Sequence, residues 1–232
     1  DRWGYDVASP AVLFDLQRDG ESIPAVAQPS KLGWVYVHDR RDGRLLYRSA
    51  PFVPQRNLFA TPTPQGTVIA PGIAGGASWS PAALDPTQNL LLVPAINIPT
   101  RYSARDGKGA DGTSFRYVVS ELQAERGGTL TAIDLADNGK IRWQLAMDEP
   151  MIGGVLATAG GLLFSGAGHN TFAAFDSASG QRLWEYRCAA GVNAPPITYA
   201  VDGVQYLAVV IGGNQLFGFP QGDQVAVFAL GK

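Results

Sequence analysis

The chain of 232 residues has the composition of a folded all-β domain rather than that of a helical or disordered protein. Hydrophobic residues make up 46% of it, which is enough for a core, and 28 glycines with 16 prolines favour short strands joined by tight turns. The net charge of −2 comes from scattered residues, so we expect no nucleic-acid or anionic-lipid partner. One cysteine excludes an intrachain disulfide and a multi-thiolate metal site. No apolar run reaches the ~20 residues that a helix needs to cross a bilayer.

One short pattern recurs along the chain. It consists of a small or aliphatic residue, an aspartate two positions later, a turn glycine and an aromatic residue. The copies are Val37-His38-Asp39 with Gly43 and Tyr47, Ala132-Ile133-Asp134 with Gly139 and Trp143, and Ala174-Phe175-Asp176 with Gly180 and Trp184. The last two aspartates are 42 residues apart, which is the length of one β-propeller blade. The repeat therefore predicts an all-β propeller.

The repeated residues are predicted to be structural. We expect each aspartate to accept hydrogen bonds from the turn that it starts, and each aromatic ring to pack between adjacent blades. A catalytic role is accordingly not assigned to Asp134, Asp176, Trp143 or Trp184. His38 and His169 have no metal-ligand spacing with another histidine or cysteine, and they are also interpreted as structural or surface residues.

The rest of the chain fills in the blades. Strands are expected near residues 80–83 and 90–93, followed by a polar insertion over about 99–126 that we interpret as a functional or capping loop. After Trp184 the pattern restarts at 196–199, turns at Asp202-Gly203 and ends at 225–228 without its aromatic residue. Residues 1–232 thus form one partial propeller of about four blades, whose last blade needs a strand from elsewhere.

Several segments resemble the C-terminal half of the pyrroloquinoline-quinone (PQQ)-dependent dehydrogenases, and the similarity runs through nearly the whole chain. The most specific segment, Lys31–Arg40, is similar to the K-x-G-x-x-Y-V-L-D-R strand of that family. The others are Trp3-Gly4-Tyr5-Asp6 with Val12–Asp15, Trp79-Ser80-Pro81 with Asp85-Pro86, Gly153-Gly154 with Thr158–Gly161, and Ala194–Tyr199 with Gly203–Tyr206.

The resemblance implies an eight-bladed ring with PQQ and Ca²⁺ or a lanthanide on its axis, and the oxidation of an alcohol, polyol or sugar. The N-terminal half of the propeller would then bring further metal ligands, and a quinone or a cytochrome would accept the electrons. An arc of about four blades cannot close on itself, so we expect an open apolar face that pairs with the missing half or with a second copy in a homodimer.

The resemblance also bears on subfamily and location. Lys31, and Ile152 before Gly153, are more similar to the membrane-bound sugar and polyol dehydrogenases than to the methanol-type enzymes. The chain opens on Asp1 without an initiator methionine, so we expect an upstream region. The resemblance implies a periplasmic protein, which that region would hold at the inner membrane. It ends soon after 225–230, so we expect no fused C-terminal cytochrome.

Four positions are the candidate cofactor residues. Lys31 is the first, because an ammonium at the quinone oxygens would stabilise the negative charge that develops there. Trp79, Ile152 and Gly153 are expected to line the pocket, with a flat apolar surface and room for close approach. For Lys31 the alternative is an ordinary lysine at a strand edge, and for the other three residues it is ordinary packing between blades.

Gly4 departs from the resemblance. It stands where the family pattern has an aspartate that ligates the metal and acts as general base, and glycine can do neither. Asp6 lies two residues further on, on the same face of an extended segment, and is the candidate metal ligand and base. Two alternatives remain open: Asp6 takes over, or the protein is a degenerate, non-catalytic propeller that acts as a scaffold or assembly protein. Under the first alternative, Gly4→Asp should raise activity.

Overall fold

The first of the sheets is a complete four-stranded blade. A computed structural model describes residues 1–166 and 169–230, and these ranges contain strands and no helix. The first blade pairs β1 (Val12–Arg18), β2 (Glu21–Pro29), β3 (Val35–Asp39) and β4 (Leu45–Arg48) antiparallel in chain order. Side chains of β2 and β3 alternate between buried and partly exposed, as the period of two of a strand requires.

The second blade is interrupted by a smaller sheet. The strands of this region are β5 (Thr67–Ile69), β6 (Ala83–Asp85), β7 (Leu90–Ile96), β8 (Thr100–Lys108), β9 (Ser114–Leu122), β10 (Gly128–Asp134) and β11 (Lys140–Met147). The blade has the order β6-β7-β10-β11. The strands β8 and β9 lie between β7 and β10 in the chain and form a three-stranded sheet with β5, which precedes β6. The segment 99–126 therefore contains a β-hairpin, of which β9 is almost entirely exposed.

The third blade has four strands and the last has three. The third consists of β12 (Val155–Ala157), β13 (Leu162–Gly166), β14 (Thr171–Asp176) and β15 (Arg182–Arg187). The last consists of β16 (Ile197–Val201), β17 (Val204–Ile211) and β18 (Gln224–Ala229). The prediction of a β-propeller with about four blades is confirmed, and β18 lacks the outer neighbour that the other three blades have.

The repeated aromatic residues dock on the turn of the following blade. Trp143 of β11 donates a hydrogen bond from Nε1 to the Ser177 carbonyl at 2.9 Å, and its ring lies against Gly180. Tyr47 of β4 does the same one blade earlier, since its hydroxyl donates to the Leu135 carbonyl at 2.8 Å. The predicted position of Trp143 between blades is confirmed.

The turn glycines show which turns are covered by residues of the preceding blade and which turn is not. Gly139 and Gly180 both have φ of +75°, and a Cβ would come within 2.8 Å of Ser49 at Gly139 and of Trp143 at Gly180. Only glycine fits such a turn, because the backbone is left-handed and the aromatic residue leaves no room. Gly43 of the first blade has φ of +76° but no atom within 4 Å of that position. The first blade therefore presents a turn that no aromatic residue covers.

Trp184 meets the following blade in a different way. Its ring is 5.3 Å from Phe228 of β18 in an edge-on arrangement, and the residue is 40% exposed. The prediction that Trp184 packs between blades is therefore only partly met: one edge touches the last blade while the rest of the ring faces outward.

Apolar cores fill the spaces between successive blades. One lies between the first two blades and includes Ala25, Val37 and Ile133. The next core joins the second and third blades, and the third core joins the third and last blades. Each blade is therefore covered by its neighbour in the chain.

The outer face of the last blade has no such cover. Its three strands point an apolar set of side chains away from the third core: Ile197, Tyr199, Val201, Val204, Tyr206, Ala208, Val210, Val225, Val227 and Ala229. Val225 is 66% exposed and Ile197 is 58% exposed. A continuous apolar face of this kind is typical of an interface.

Candidate functional site

Lys31 lies in the tight connection between β2 and β3 and points into a polar site. The residue is only 4% exposed, and its Nζ donates to Asp6 Oδ1 at 2.8 Å and to the Gly4 carbonyl at 3.2 Å. An ammonium has three donors, so these two bonds leave one N–H for another acceptor. A buried lysine with a spare donor is suited to binding an oxygen atom of a ligand.

Trp79 lies beside the ammonium. Lys31 Nζ is 5.4 Å from the centroid of the Trp79 ring, within the range of a cation–π interaction. The loop that carries Trp79 approaches closely because Gly76 has no side chain: a Cβ there would lie 2.4 Å from the Lys31 carbonyl oxygen. Trp79 is 60% exposed, so its ring offers a flat surface next to a positive charge.

Ser78, the residue before Trp79, carries a buried hydroxyl. The residue is 2% exposed, and its hydroxyl has no hydrogen-bond partner among the described residues. A buried polar group without a hydrogen bond lowers the stability of the folded state by about 1–3 kcal/mol, and the Ser78 hydroxyl carries this cost. The residues that fit a polar, planar cofactor are Lys31, with its spare N–H, and Trp79, with its exposed ring.

Asp6 is better suited to binding a cation than to accepting a proton. The hydrogen bond from Lys31 is the main cause that lowers the pKa of the Asp6 carboxyl. A lowered pKa keeps the group ionised and makes it a weaker base. Its side chain is 62% exposed, so the second carboxylate oxygen is open to a metal ion.

The segment that carries Gly4 and Asp6 is fixed by the inserted sheet. Tyr102 of β8 donates from its hydroxyl to the Trp3 carbonyl at 2.7 Å, and the Tyr5 hydroxyl donates to the Pro71 carbonyl at 2.8 Å. Burial raises the pKa of Tyr5 to about 12, so its hydroxyl remains a donor at neutral pH. The sequence carried no signal for this role of β8, because the contact from Tyr102 to Trp3 joins residues 99 positions apart.

The backbone at Gly4 corrects the expected effect of Gly4→Asp. Its φ is +75°, and a Cβ at this position would lie 2.7 Å from Ile73 Cγ1. A side chain would be strained by the backbone and would displace Ile73. The substitution is therefore expected to disturb the segment that holds Asp6, and the gain in activity expected from the sequence does not follow.

Ile152 and Gly153 lie in a second cluster. Ile152 packs against an apolar group formed by Ile96, Ile98, Phe217 and Phe219. Gly153 lies against the 192–193 backbone, where a Cβ would be 2.7 Å from the Val192 carbonyl oxygen. Asp6 and Trp79 thus each lie beside Lys31, whereas Ile152 and Gly153 have packing partners of their own.

The two clusters are joined through the starts of the blades. The segment after Trp79 reaches Pro81, whose ring would be 2.7 Å from a Cβ at Gly154, and the same position is 3.1 Å from Pro195. These segments lead into β6, β12 and β16, the first strands of three successive blades. Both clusters therefore lie at the same end of the blades.

The loop between β17 and β18 is held over the second cluster. Arg126 donates to the Phe217 carbonyl at 2.8 Å, pairs with Glu149 at 2.5 Å and stacks 5.8 Å from the centre of the Phe219 ring. No sequence motif links Arg126, Phe217 and Phe219, so their place beside the second cluster could not be predicted from the sequence.

A complete metal site cannot be assembled from this part of the chain. Among residues 1–166 and 169–230, no three or more histidine, cysteine, aspartate or glutamate side chains are grouped so that they could hold a metal ion. Asp6 would need ligands from elsewhere. The described residues also include no helix with the length and hydropathy to cross a bilayer.

Comparison with known proteins gives one consistent result. The model of the "Glucose/ethanol/alcohol dehydrogenase, beta-propeller domain" of the PQQ family matches residues 1–55 and 126–207. A quinoprotein ethanol dehydrogenase from Pseudomonas aeruginosa is 32% identical over 91% of this chain, and a quinoprotein glucose dehydrogenase from Escherichia coli is 23% identical over 99% of it.

Solved structures are similar in the same way. The quinohemoprotein alcohol dehydrogenase from Comamonas testosteroni has a TM-score of 0.80 and 26% identity, covering 99% of this chain and 39% of that one. A europium-containing methanol dehydrogenase has a TM-score of 0.78 and 29% identity, with 92% and 41% covered. The chain spans 38% of the Pseudomonas enzyme and 41% of the Escherichia coli enzyme. It therefore belongs to the PQQ-dependent glucose, ethanol and alcohol dehydrogenase family, as part of its β-propeller domain.

Proposed function

We propose that this chain is part of a dehydrogenase that oxidises the hydroxyl group of an alcohol, polyol or sugar with PQQ as oxidant. The observation that carries the proposal is the contact of buried Lys31 with Asp6 and Trp79 in a chain of this family. Quinoprotein enzymes named for ethanol and for glucose are both among its relatives, which supports the reaction class and leaves the substrate open.

Lys31 is assigned to the cofactor. Bound PQQ would supply the chemistry, because a quinone can take up the hydride that leaves a CH–OH carbon. The third N–H of the Lys31 ammonium would donate to an oxygen of the bound quinone and stabilise negative charge there. Trp79 would support the planar ring.

Asp6 is assigned to Ca²⁺ or a lanthanide. It stays ionised beside Lys31, and carboxylate oxygen is the ligand type that these hard cations prefer. Because its basicity is reduced, we assign the proton acceptor of the reaction to a group outside this chain.

The open face of the last blade is assigned to the N-terminal half of the propeller. That half would cover the apolar face, pair with the free edge of β18 and place an aromatic residue over the bare turn at Gly43. A homodimer in which each copy covers the other is the alternative. By its resemblance to the family, we place the protein in the periplasm at the inner membrane, with a membrane quinone or a cytochrome as electron acceptor.

Dye-linked oxidation of alcohols and sugars tests this function. The protein, completed by its N-terminal half, is loaded with PQQ and Ca²⁺ or a lanthanide, and reduction of an artificial dye is followed. We expect activity that falls at least about a hundredfold in Lys31→Ala, since the charge on the developing oxyanion is then unpaired. Lys140→Ala, which removes an exposed lysine paired with Asp137, is the control and should change nothing.

A non-catalytic scaffold is the second candidate, and the absence of a carboxylate at Gly4 favours it. It predicts a folded protein that assembles with its partner half but takes up no PQQ with any of the metals. Uptake of PQQ that is lost in Lys31→Ala would exclude it.

A further inference from the structure

Phe59 has a backbone conformation that is unusual for an aromatic residue. Its φ is +64°, in the left-handed region, where the Cβ of an L-residue comes too close to the following carbonyl oxygen. Glycine and asparagine adopt this conformation readily, whereas a bulky side chain is rare there. The residue is also 49% exposed, so burial in a core does not account for the strain. Backbone strain of this kind is concentrated at functional sites.

The Phe59 ring packs on the N-terminal segment that leads to the candidate site. Its centre lies 5.6 Å from the ring centre of Trp3 and 6.0 Å from that of Tyr5, edge-on to both. Those two rings are stacked on each other at 6.3 Å. Trp3 Nε1 also donates to the Ala60 carbonyl at 2.9 Å. Phe59 and Ala60 therefore hold the residues on either side of Gly4.

The turn that carries Phe59 is itself fixed to β5 and the residue that follows it. Arg56 and Ala70 exchange two backbone hydrogen bonds, at 2.8 and 2.9 Å. The Asn57 side chain donates to the Val68 carbonyl of β5 at 2.9 Å. A ring that projects from an anchored turn limits the movement of the segment on which it packs.

That segment provides the acceptors of the Lys31 ammonium. Lys31 Nζ donates to the Gly4 carbonyl at 3.2 Å and to Asp6 Oδ1 at 2.8 Å. The Asp6 side chain is 62% exposed, so no core surrounds it and keeps it in place. The position of its carboxylate therefore depends on residues 3–5, and these are held by Phe59.

We propose that Phe59 is a positioning residue, whose ring holds the N-terminal segment so that Asp6 can bind a cation while it pairs with Lys31. This inference rests on the proposed function, in which Asp6 is a ligand of Ca²⁺ or a lanthanide. Replacement of a residue that holds a metal ligand in place typically lowers metal affinity about 10- to 100-fold. Phe59 contacts neither cation nor cofactor in this assignment and acts only through Asp6.

Binding of Tb³⁺, a lanthanide probe, tests the inference in the protein completed by its N-terminal half. Bound Tb³⁺ is measured by equilibrium dialysis in the presence of PQQ. Phe59→Asn removes the ring and introduces a residue that the left-handed backbone accepts, and we expect the dissociation constant to rise about tenfold. Phe59→Tyr keeps the ring and should bind as the parent does. The control is Phe115→Asn: Phe115 is also 49% exposed, but its ring packs on Tyr117 of β9, so affinity should not change.

A double-mutant cycle separates positioning from a general effect on the fold. In an Asp6→Asn background, where the ligands of the N-terminal half retain weaker binding, Phe59→Asn should not lower Tb³⁺ affinity further. The urea midpoint of Phe59→Asn should stay close to that of the parent, because relief of backbone strain offsets the loss of a half-exposed ring.

Three results would overturn the inference. They are an unchanged Tb³⁺ affinity in Phe59→Asn, the same further loss in the Asp6→Asn background as in the parent, and a urea midpoint that falls together with the affinity. Each of them leaves the proposed function intact, because the parent protein still binds the lanthanide and PQQ. If the parent binds neither Tb³⁺ nor PQQ, the proposed function fails and this inference fails with it.

Discussion

The docked ring of Trp143 gives the most direct measure of how the blades are held together. Trp143→Ala removes the packing on Gly180 and the hydrogen bond to the Ser177 carbonyl. Loss of a large buried aromatic side chain costs about 3–5 kcal/mol, and we take the lower end because the ring is partly exposed. The hydrogen bond contributes about 1 kcal/mol of that cost, so Trp143→Phe should lose only about 1–2 kcal/mol.

Urea unfolding followed by circular dichroism would measure these losses. With a slope of about 2 kcal/mol per molar urea, 3 kcal/mol lowers the midpoint by about 1.5 M. Trp184→Ala is the matched control, because Trp184 occupies the same place in the repeat but is 40% exposed and meets Phe228 of the next blade edge-on. We expect it to lose less than Trp143→Ala, since a 40% exposed ring buries less apolar surface and donates no hydrogen bond to the next blade among the described residues. Equal losses for the two alanine variants would refute the docking argument.

Three further substitutions test the backbone at Gly4, the Asp39 carboxylate and the open face of the last blade. Gly4→Asp should lower the midpoint of thermal unfolding, because φ is +75° and Ile73 occupies the space, and a more stable variant would contradict this. The Arg41 side chain holds the pKa of Asp39 at about 2, below the value of about 3.9 in unfolded chains, so its contribution to stability is complete above about pH 4 and is lost as the pH falls toward 2. In Asp39→Asn the urea concentration at the unfolding midpoint should therefore change less between pH 5 and pH 2.5 than in the parent protein. The same pH dependence in both proteins would contradict this. Val227→Lys, on the open face, should weaken association with the partner half in sedimentation, whereas lysine at exposed Val119 of β9 should not.

The fold was largely predictable because each blade is a local repeat. The pattern from Ala132 to Trp143 fixes a turn and two strands within a dozen residues, so the sequence carries the information for that unit. The inserted sheet was predicted only as a polar segment, since β9 is exposed and its pairing with β8 leaves no core pattern to detect. Its contact from Tyr102 to Trp3 joins distant residues and could not be inferred from spacing.

The candidate site was predictable only where a motif carries it. The segment around Lys31 identified a residue that the structure places against Asp6 and Trp79. The unpaired Ser78 hydroxyl could not be inferred, because satisfaction of a polar group depends on what surrounds it in space. The left-handed backbone at Gly4, which reverses the expected effect of an aspartate there, was equally invisible in the sequence.

Binding of PQQ is the measurement that tests the central claim most directly. The chain, joined with its N-terminal half, is titrated with PQQ in the presence of Ca²⁺ or a lanthanide while the tryptophan fluorescence is recorded. We expect saturable quenching, because Trp79 would lie beside the bound ring. The dissociation constant should rise at least about tenfold in Lys31→Gln, since a hydrogen bond from a charged donor contributes about 1.5–3 kcal/mol. Quenching of the same strength in Lys31→Gln, or none in the parent protein with either metal, would contradict it.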